Sequence, residues 1–150
     1  MISIQPLTFD HLGPLVAAYA VAPAAYSAYF QPFSFDLPTL QAILAQRVAD
    51  LYFLVRWADE PAGFFMLRGF DQGYRVPTYG VWIAPPFSRR GLGRETLHHA
   101  VRTCRARGCD ELMLKVHPLN IRAMRMYERF GFTRAGVDPR NANLIYKLAL

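Results

Sequence analysis

The stretch Pro85-Pro86-Phe87-Ser88-Arg89-Arg90-Gly91-Leu92-Gly93-Arg94 restricts this chain more than any other. An apolar run, Tyr79-Gly80-Val81-Trp82-Ile83, leads into it and reads as a buried strand. Leu97, Ala100, Val101 and Cys104 follow it at helical spacing. The stretch is therefore a strand-to-helix turn with two glycines, several arginines and a helix amino terminus. Such a turn suits a phosphate: unpaired N–H groups point out of the helix start, and glycine lets a ligand approach the backbone. No Gly-Lys-Ser/Thr follows, so it is not a P-loop, and the third glycine of a dinucleotide-binding turn is missing. On its own the pattern equally fits a glycine-stabilised turn among exposed arginines.

A second stretch decides between these readings. Asn120-Ile121-Arg122-Ala123-Met124-Arg125-Met126-Tyr127-Glu128-Arg129-Phe130-Gly131-Phe132 follows another strand, Leu112-Met113-Leu114-Lys115-Val116. Pro-x-x-x-Arg-Arg-Gly-x-Gly after a strand, followed by Asn-x-x-Ala-x-x-x-Tyr-x-x-x-Gly-Phe, resembles the Gcn5-related N-acetyltransferase (GNAT) superfamily. The resemblance covers about Tyr79 to Leu150, and the first half agrees in its order of elements. It implies an α/β fold: a mixed, mostly antiparallel sheet of six or seven strands, flanked by four helices and splayed between the strands ending at Ile83 and Val116. It also implies that acetyl-coenzyme A enters the splay.

The remaining chain is consistent with one domain spanning 1–150. Apolar residues make up 53%, enough for a core at this length. Ile2-Ser3-Ile4 reads as a strand. Asp10 caps a helix running to about Ala20, with Leu12, Leu15, Val16 and Tyr19 on one face. Residues 24–35, rich in Tyr and Phe, lack periodicity and read as a packed loop, an acceptor wall or a homodimer surface. Asp36 or Pro38 starts a helix that turns Leu40, Ile43, Leu44 and Val48 inward. Leu51 to Trp57 and Ala62 to Arg68 form a hairpin around Asp59-Glu60-Pro61, and Asp71-Gln72-Gly73 turns toward the strand ending at Ile83. A helix from Leu92 to Arg107 stops at Gly108, and one over 121–130 lies between Asn120 and Gly131. Asp138-Pro139-Arg140-Asn141 precedes a last strand, Leu144 to Leu148.

Charge points to the same partner. Residues 89–140 hold 12 of the 17 basic residues and 5 of the 11 acidic ones, and nearly all the cations are arginine. Guanidinium forks match phosphate oxygens, and their clustering around one turn favours a small phosphorylated ligand over nucleic acid. Residues 12–35 carry no charge but contain Pro14 and Pro23 and no membrane-length apolar run, and no Lys or Arg precedes Arg47. A cytoplasmic protein without a signal peptide or membrane partner is expected. Cys104 and Cys109 read as small packed residues, and no His/Cys spacing suggests a metal. His98 and His99 are expected at the surface, and His11 has no evident role.

The resemblance assigns roles residue by residue. Arg89, Arg90, Gly91, Leu92, Gly93 and Arg94 would hold the diphosphate through backbone N–H groups. Ser88 stands where relatives carry Gln or Arg, so it reaches less far. Val81, Trp82 and Ile83 would pair with the pantetheine amides like an added strand. Asn120 would cap its helix and touch the cofactor, beside Met124. Tyr127 would protonate the departing thiolate. Relatives place a glutamate base on the strand before the turn, which here carries no carboxylate; Tyr79 and His117 are the candidates left. Tyr26, Tyr29, Phe30 and Phe33 would line the acceptor. The expected activity is acetyl transfer to a small-molecule primary amine without a metal. Rival expectations are a peptide amino terminus as acceptor, a longer acyl group, and a non-catalytic acyl-coenzyme A- or nucleic-acid-binding module.

Overall fold

Short turns and alternating apolar positions build the first half of the sheet. Strand β1 (Ile2–Pro6) pairs antiparallel with β2 (Leu51–Trp57), β2 with β3 (Glu60–Arg68), and β3 with β4 (Thr78–Ile83). The computed structural model describes residues 1–30 and 32–150. Only Ala58 and Asp59 join β2 to β3, with Ala58 at φ +53°. The turn is thus tighter than the expected Asp59-Glu60-Pro61, and Pro61 sits near the strand start, where its missing N–H costs least.

Helices α1 (Phe9–Val21), α2 (Ala24–Ser27) and α3 (Leu37–Gln46) lie between β1 and β2. Thr8, not Asp10, is the amino-terminal cap of α1. His11 Nδ1 accepts the Thr8 N–H at 3.0 Å, so this histidine closes the helix start. Asp36 caps α3 by accepting the Thr39 N–H at 2.9 Å. Val48 does not face inward: α3 ends at Gln46, and Val48 is 84% exposed. The cause is Asp71, whose carboxylate draws the N–H groups of Val48, Ala49 and Asp50 out of helical geometry. The aromatic segment also differs from a plain loop, because α2 occupies its first turn. Among the described residues the α-helix count is five rather than four.

The second half is α4 (Leu92–Ala106), β5 (Glu111–Val116), α5 (Ile121–Phe130), β6 (Thr133–Val137) and β7 (Leu144–Ala149). Strand order is β1-β2-β3-β4-β5-β7-β6. Every pairing is antiparallel except β4 with β5. That parallel ladder spans only Thr78↔Met113 and Tyr79↔Leu114. Beyond Tyr79 the two strands part, as expected for a splayed sheet.

Each sheet face has its own core. On one, Leu92, Leu97, Ala100, Val101 and Cys104 of α4 and Met124 and Tyr127 of α5 pack on Phe65, Leu67, Tyr79, Leu112, Leu114 and Val116. On the other, Leu15 of α1 packs with Tyr52, Leu54, Phe64, Met66 and Trp82, and Phe30, Phe33 and Phe35 seal that layer. His98 and His99 are half-buried rather than superficial: His99 sits edge-on to Phe53 and Phe65, and His98 against Phe130. Cys104 is buried and its thiol is pushed up to about 12 by burial, which makes it inert. Among the described residues, no helix is long and apolar enough to cross a membrane.

Candidate active site

The start of α4 is shaped by backbone conformation. Arg89 has φ +62° and Gly91 φ +83°, so the chain makes a left-handed corner just before the helix. A β-carbon on Gly91 would meet nothing within 4 Å, so the space over the corner is open. The first intrahelical bond runs from Glu95 N–H to Gly91 O. The N–H groups of Leu92, Gly93 and Arg94 precede it and have no acceptor within the helix. Together with the helix dipole they form a concave set of donors suited to a diphosphate. Gly93 also lets α4 approach α5, since a β-carbon there would stand 3.2 Å from Met126 Sδ.

The side chains around this corner behave differently from its backbone. Arg90 lies over the Trp57 and Phe87 rings, at 5.0 and 5.9 Å, which holds it on the protein surface. Ser88 donates its hydroxyl to Pro85 O at 2.9 Å, so it closes its own turn instead of reaching outward. Leu92 buries its side chain in the core and offers only its N–H.

The register of β4 fixes which backbone groups face the splay. Phe64 pairs with Trp82, and Ala84 N–H donates to Ala62 O at 2.8 Å. Antiparallel alternation then points the N–H and C=O of Trp82 at β3, and those of Val81 and Ile83 at the gap beside β5. Val81 and Ile83 therefore present the open edge, whereas Trp82 does not. Its indole is buried on the α1 side and donates to Ser27 Oγ at 3.2 Å.

The segment from Tyr26 in α2 to Tyr29 just beyond it contacts both arms of the splay. Tyr26 donates its hydroxyl to Ile83 O at 2.6 Å, and Ser88 and Arg122 are near enough to influence that phenol. Three residues on, the Tyr29 ring stacks on His117, centroids 4.6 Å apart. One arm of the splay is thus held through Ile83 and the other through His117. Phe30 and Phe33, expected beside the two tyrosines, pack elsewhere: Phe30 meets Phe35 and Phe64 edge-on, and Phe33 lies under Arg68.

His117 Nδ1 accepts the Leu119 N–H at 3.1 Å. Neutral His117 in this arrangement carries its proton on Nε2, so it presents a donor to the mouth and no free lone pair. Tyr79, the other candidate base, is buried against α4 and its hydroxyl lies 2.7 Å from Thr96 Oγ1. Burial raises the Tyr79 phenol well above its ordinary range, which makes it a poor base. Tyr127 is 7% exposed, with its ring edge-on to Tyr79 and Phe132. Burial raises its phenol too, so it stays protonated and able to donate. Met124 is buried beside it, and Asn120 Oδ1 accepts the Ala123 N–H at 3.4 Å as a helix cap. The one carboxylate at the end of β6, Asp138, is held by Lys115 at 2.9 Å and Arg140 at 3.0 Å. Those hydrogen bonds keep it far below the usual carboxylate range, so it cannot serve as a base either.

Thr96 escaped the sequence reading. The signal was present: Leu92, Thr96, Ala100 and Cys104 recur every four residues, so a hydroxyl had to lie on the buried face of α4. The Tyr26–Ile83 contact joins residues 57 apart and left no such trace.

The sequence model of the Acetyltransferase (GNAT) family matches residues 17–132. The chain belongs to this family. Among curated GNAT relatives, it is 37% identical over 99 residues to a mycothiol acetyltransferase of Thermobispora bispora, covering 55% of this chain and 33% of that one. It is also 37% identical over 59 residues to a [ribosomal protein bS18]-alanine N-acetyltransferase of Salmonella typhimurium, covering 39% of this chain and 40% of that one. The chain therefore aligns with well under half the length of either relative. Its fold is that of the paia N-acetyltransferase of Thermoplasma acidophilum, solved in complex with coenzyme A. The two superpose with a TM-score of 0.81 at 16% identity, covering 100% of this chain and 99% of the other.

Proposed function

We propose that this GNAT member transfers an acetyl group from acetyl-coenzyme A to the primary amine of a small molecule by direct attack. The observation that carries the proposal is the pairing of two features at one opening: unpaired N–H groups at the start of α4, and the free edge of β4 at Val81 and Ile83. The first suits a diphosphate, the second an amide-bearing arm laid down like a short strand. Arg89, Arg94 and the backbone from Gly91 to Arg94 would hold the diphosphate end, with Met124 and Asn120 flanking the arm.

In this reading the amine nitrogen attacks the thioester carbonyl carbon. The Ile83 N–H faces the position where negative charge gathers on the carbonyl oxygen. As the carbon–sulfur bond breaks, Tyr127 gives its proton to the thiolate and later regains one from solvent. The neutral amine attacks, and the proton it sheds as the carbon–nitrogen bond forms passes to water at the mouth: His117 Nδ1 is engaged by the Leu119 N–H, the Tyr79 phenol is buried, and the Asp138 carboxylate is held by Lys115 and Arg140. A small acceptor is favoured over an extended peptide because the segment from Tyr26 to Tyr29 touches both arms of the splay and narrows the approach.

Titration calorimetry with acetyl-coenzyme A tests the cofactor half of this proposal. Wild-type protein is expected to bind, and Gly91→Val to lose binding. A β-branched residue at φ +83° is strained, so Gly91→Asn, which tolerates that conformation, serves as the folded partner variant. Unchanged affinity in a folded Gly91→Asn protein, or no binding by the wild type, contradicts the assignment.

A further inference from the structure

Tyr79 and Thr96 are a buried, hydrogen-bonded hydroxyl pair between β4 and α4. Tyr79 is 3% exposed and Thr96 fully buried. Thr96 has one hydroxyl proton, and it goes to Gly93 O at 2.8 Å. The Tyr79 hydroxyl must therefore be the donor across the 2.7 Å contact. The bonds run in one direction: Tyr79 O–H to Thr96 Oγ1, then Thr96 O–H to Gly93 C=O.

Both ends of this relay lie at places that matter for the site. Tyr79 is the last residue of β4 in register with β5, opposite Leu114, so it stands at the vertex of the splay. Gly93 C=O belongs to the same peptide unit as the Arg94 N–H, one of the free donors at the start of α4. A carbonyl that accepts a hydrogen bond polarises its peptide, and its N–H becomes a stronger donor. Hydrogen bonds in series reinforce one another in a dry interior. The relay also ties the first turn of α4 to the sheet, across a connection that contains two left-handed residues.

We propose that Tyr79 and Thr96 are positioning residues for anion binding: they orient and polarise the Gly93–Arg94 peptide so that the start of α4 holds the diphosphate of coenzyme A. Tyr79 thereby acts on the site without touching a reacting atom. The same ring stands edge-on to Tyr127 at 6.5 Å and braces the proton donor. The inference rests on the diphosphate reading of the α4 start.

Calorimetry with coenzyme A, on the full chain, tests it without knowledge of the acceptor. Tyr79→Phe removes only the donor and should weaken binding about 5-fold, the equivalent of one net hydrogen bond. Thr96→Val breaks both links and should weaken it further, and Thr96→Ser should restore it. The double variant Tyr79→Phe/Thr96→Val should bind no worse than Thr96→Val alone, because the relay needs both members. Melting temperatures of the ligand-free proteins are read alongside, and if Thr96→Val does not fold, Tyr79→Phe and Thr96→Ser still decide. Wild-type affinity in folded Tyr79→Phe, whatever its melting temperature, overturns the inference and leaves the pair a packing feature. Additive losses in the double variant overturn the relay. A wild-type protein that does not bind coenzyme A at all removes the proposed function, and the inference with it.

Discussion

Two side chains at the splay test the chemistry. Tyr127 is a buried phenol on the α4 side of the sheet, its acidity lowered by burial, and His117 lies at the mouth against Tyr29. Tyr127→Phe keeps the ring against Tyr79 and Phe132, so melting temperature should hardly move. General acid catalysis contributes about 10²–10⁴-fold. A thiol is a good leaving group, so the lower end of that range is expected in kcat, with KM for acetyl-coenzyme A unchanged. Steady-state kinetics under conditions where chemistry limits the rate will show it, and wild-type kcat would return the proton to solvent. His117→Phe makes the opposite expectation. It keeps a ring on Tyr29 and deletes both nitrogens, of which Nδ1 is already engaged by Leu119. The pH profile of kcat/KM should keep its shape, set by the amine acceptor. A loss of about 100-fold together with the acidic limb would show that His117 releases Leu119 and acts as the base.

At the scale of elements, α2 and the turn that follows it couple the two arms through Tyr26 and Tyr29. Tyr26 occupies Ile83 O, one of the few acceptors on the open edge of β4. An arriving amide competes with that hydroxyl for the carbonyl. Tyr26→Phe should therefore bind acetyl-coenzyme A a few-fold more tightly, since one ordinary hydrogen bond no longer has to be displaced. Weaker binding in the calorimeter would mean that the phenol is itself a ligand contact. The same element shows where sequence reading stops. The helix over 121–130 could be read to the residue, because Asn120 and Gly131 punctuate it and its apolar stripe is regular. The turn at 91–93 could be read because glycine and arginine leave few alternatives after a strand. α2 could not: one turn of Ala-Ala-Tyr-Ser has no periodicity, and its placement depends on contacts from Tyr26 to Ile83 and from Tyr29 to His117 across the chain. The end of α3 was misread for the same reason, since Asp71 in a distant turn sets it. The direction of the Trp82 backbone groups and the burial of the Tyr79 ring follow from strand register and packing between elements, neither of which is written in a single strand.

For the whole molecule, the half-buried histidines predict how stability depends on acidity. His11 and His99 both have lowered pKa values, chiefly from burial, with Arg56 and Arg102 as the respective charged neighbours. A lowered pKa means that the unfolded chain binds the proton more readily. Stability should therefore be full above the ordinary histidine value of 6.5 and decline as pH falls through it. A second decline belongs to Asp71 and Asp138, whose lowered carboxyls, held by hydrogen bonds, stabilise the fold above the usual carboxylate range and lose that contribution in stronger acid. Urea unfolding as a function of pH should show both steps, and His11→Gln together with His99→Gln should remove the first; a flat profile between pH about 7 and about 5 contradicts it. The fold itself carries the larger claim. In the proposed reading, a sheet parted beyond Tyr79, with the start of α4 and Tyr127 on the same face, serves acyl transfer from acetyl-coenzyme A to an amine. The most direct test is release of free coenzyme A thiol from acetyl-coenzyme A, measured against a panel of small primary amines and peptide amino termini. The account predicts thiol release that depends on a small amine, with the acetylated amine formed in equal amount. Tight binding of acetyl-coenzyme A without acetylation of any amine would contradict it and make this chain an acyl-coenzyme A-binding module.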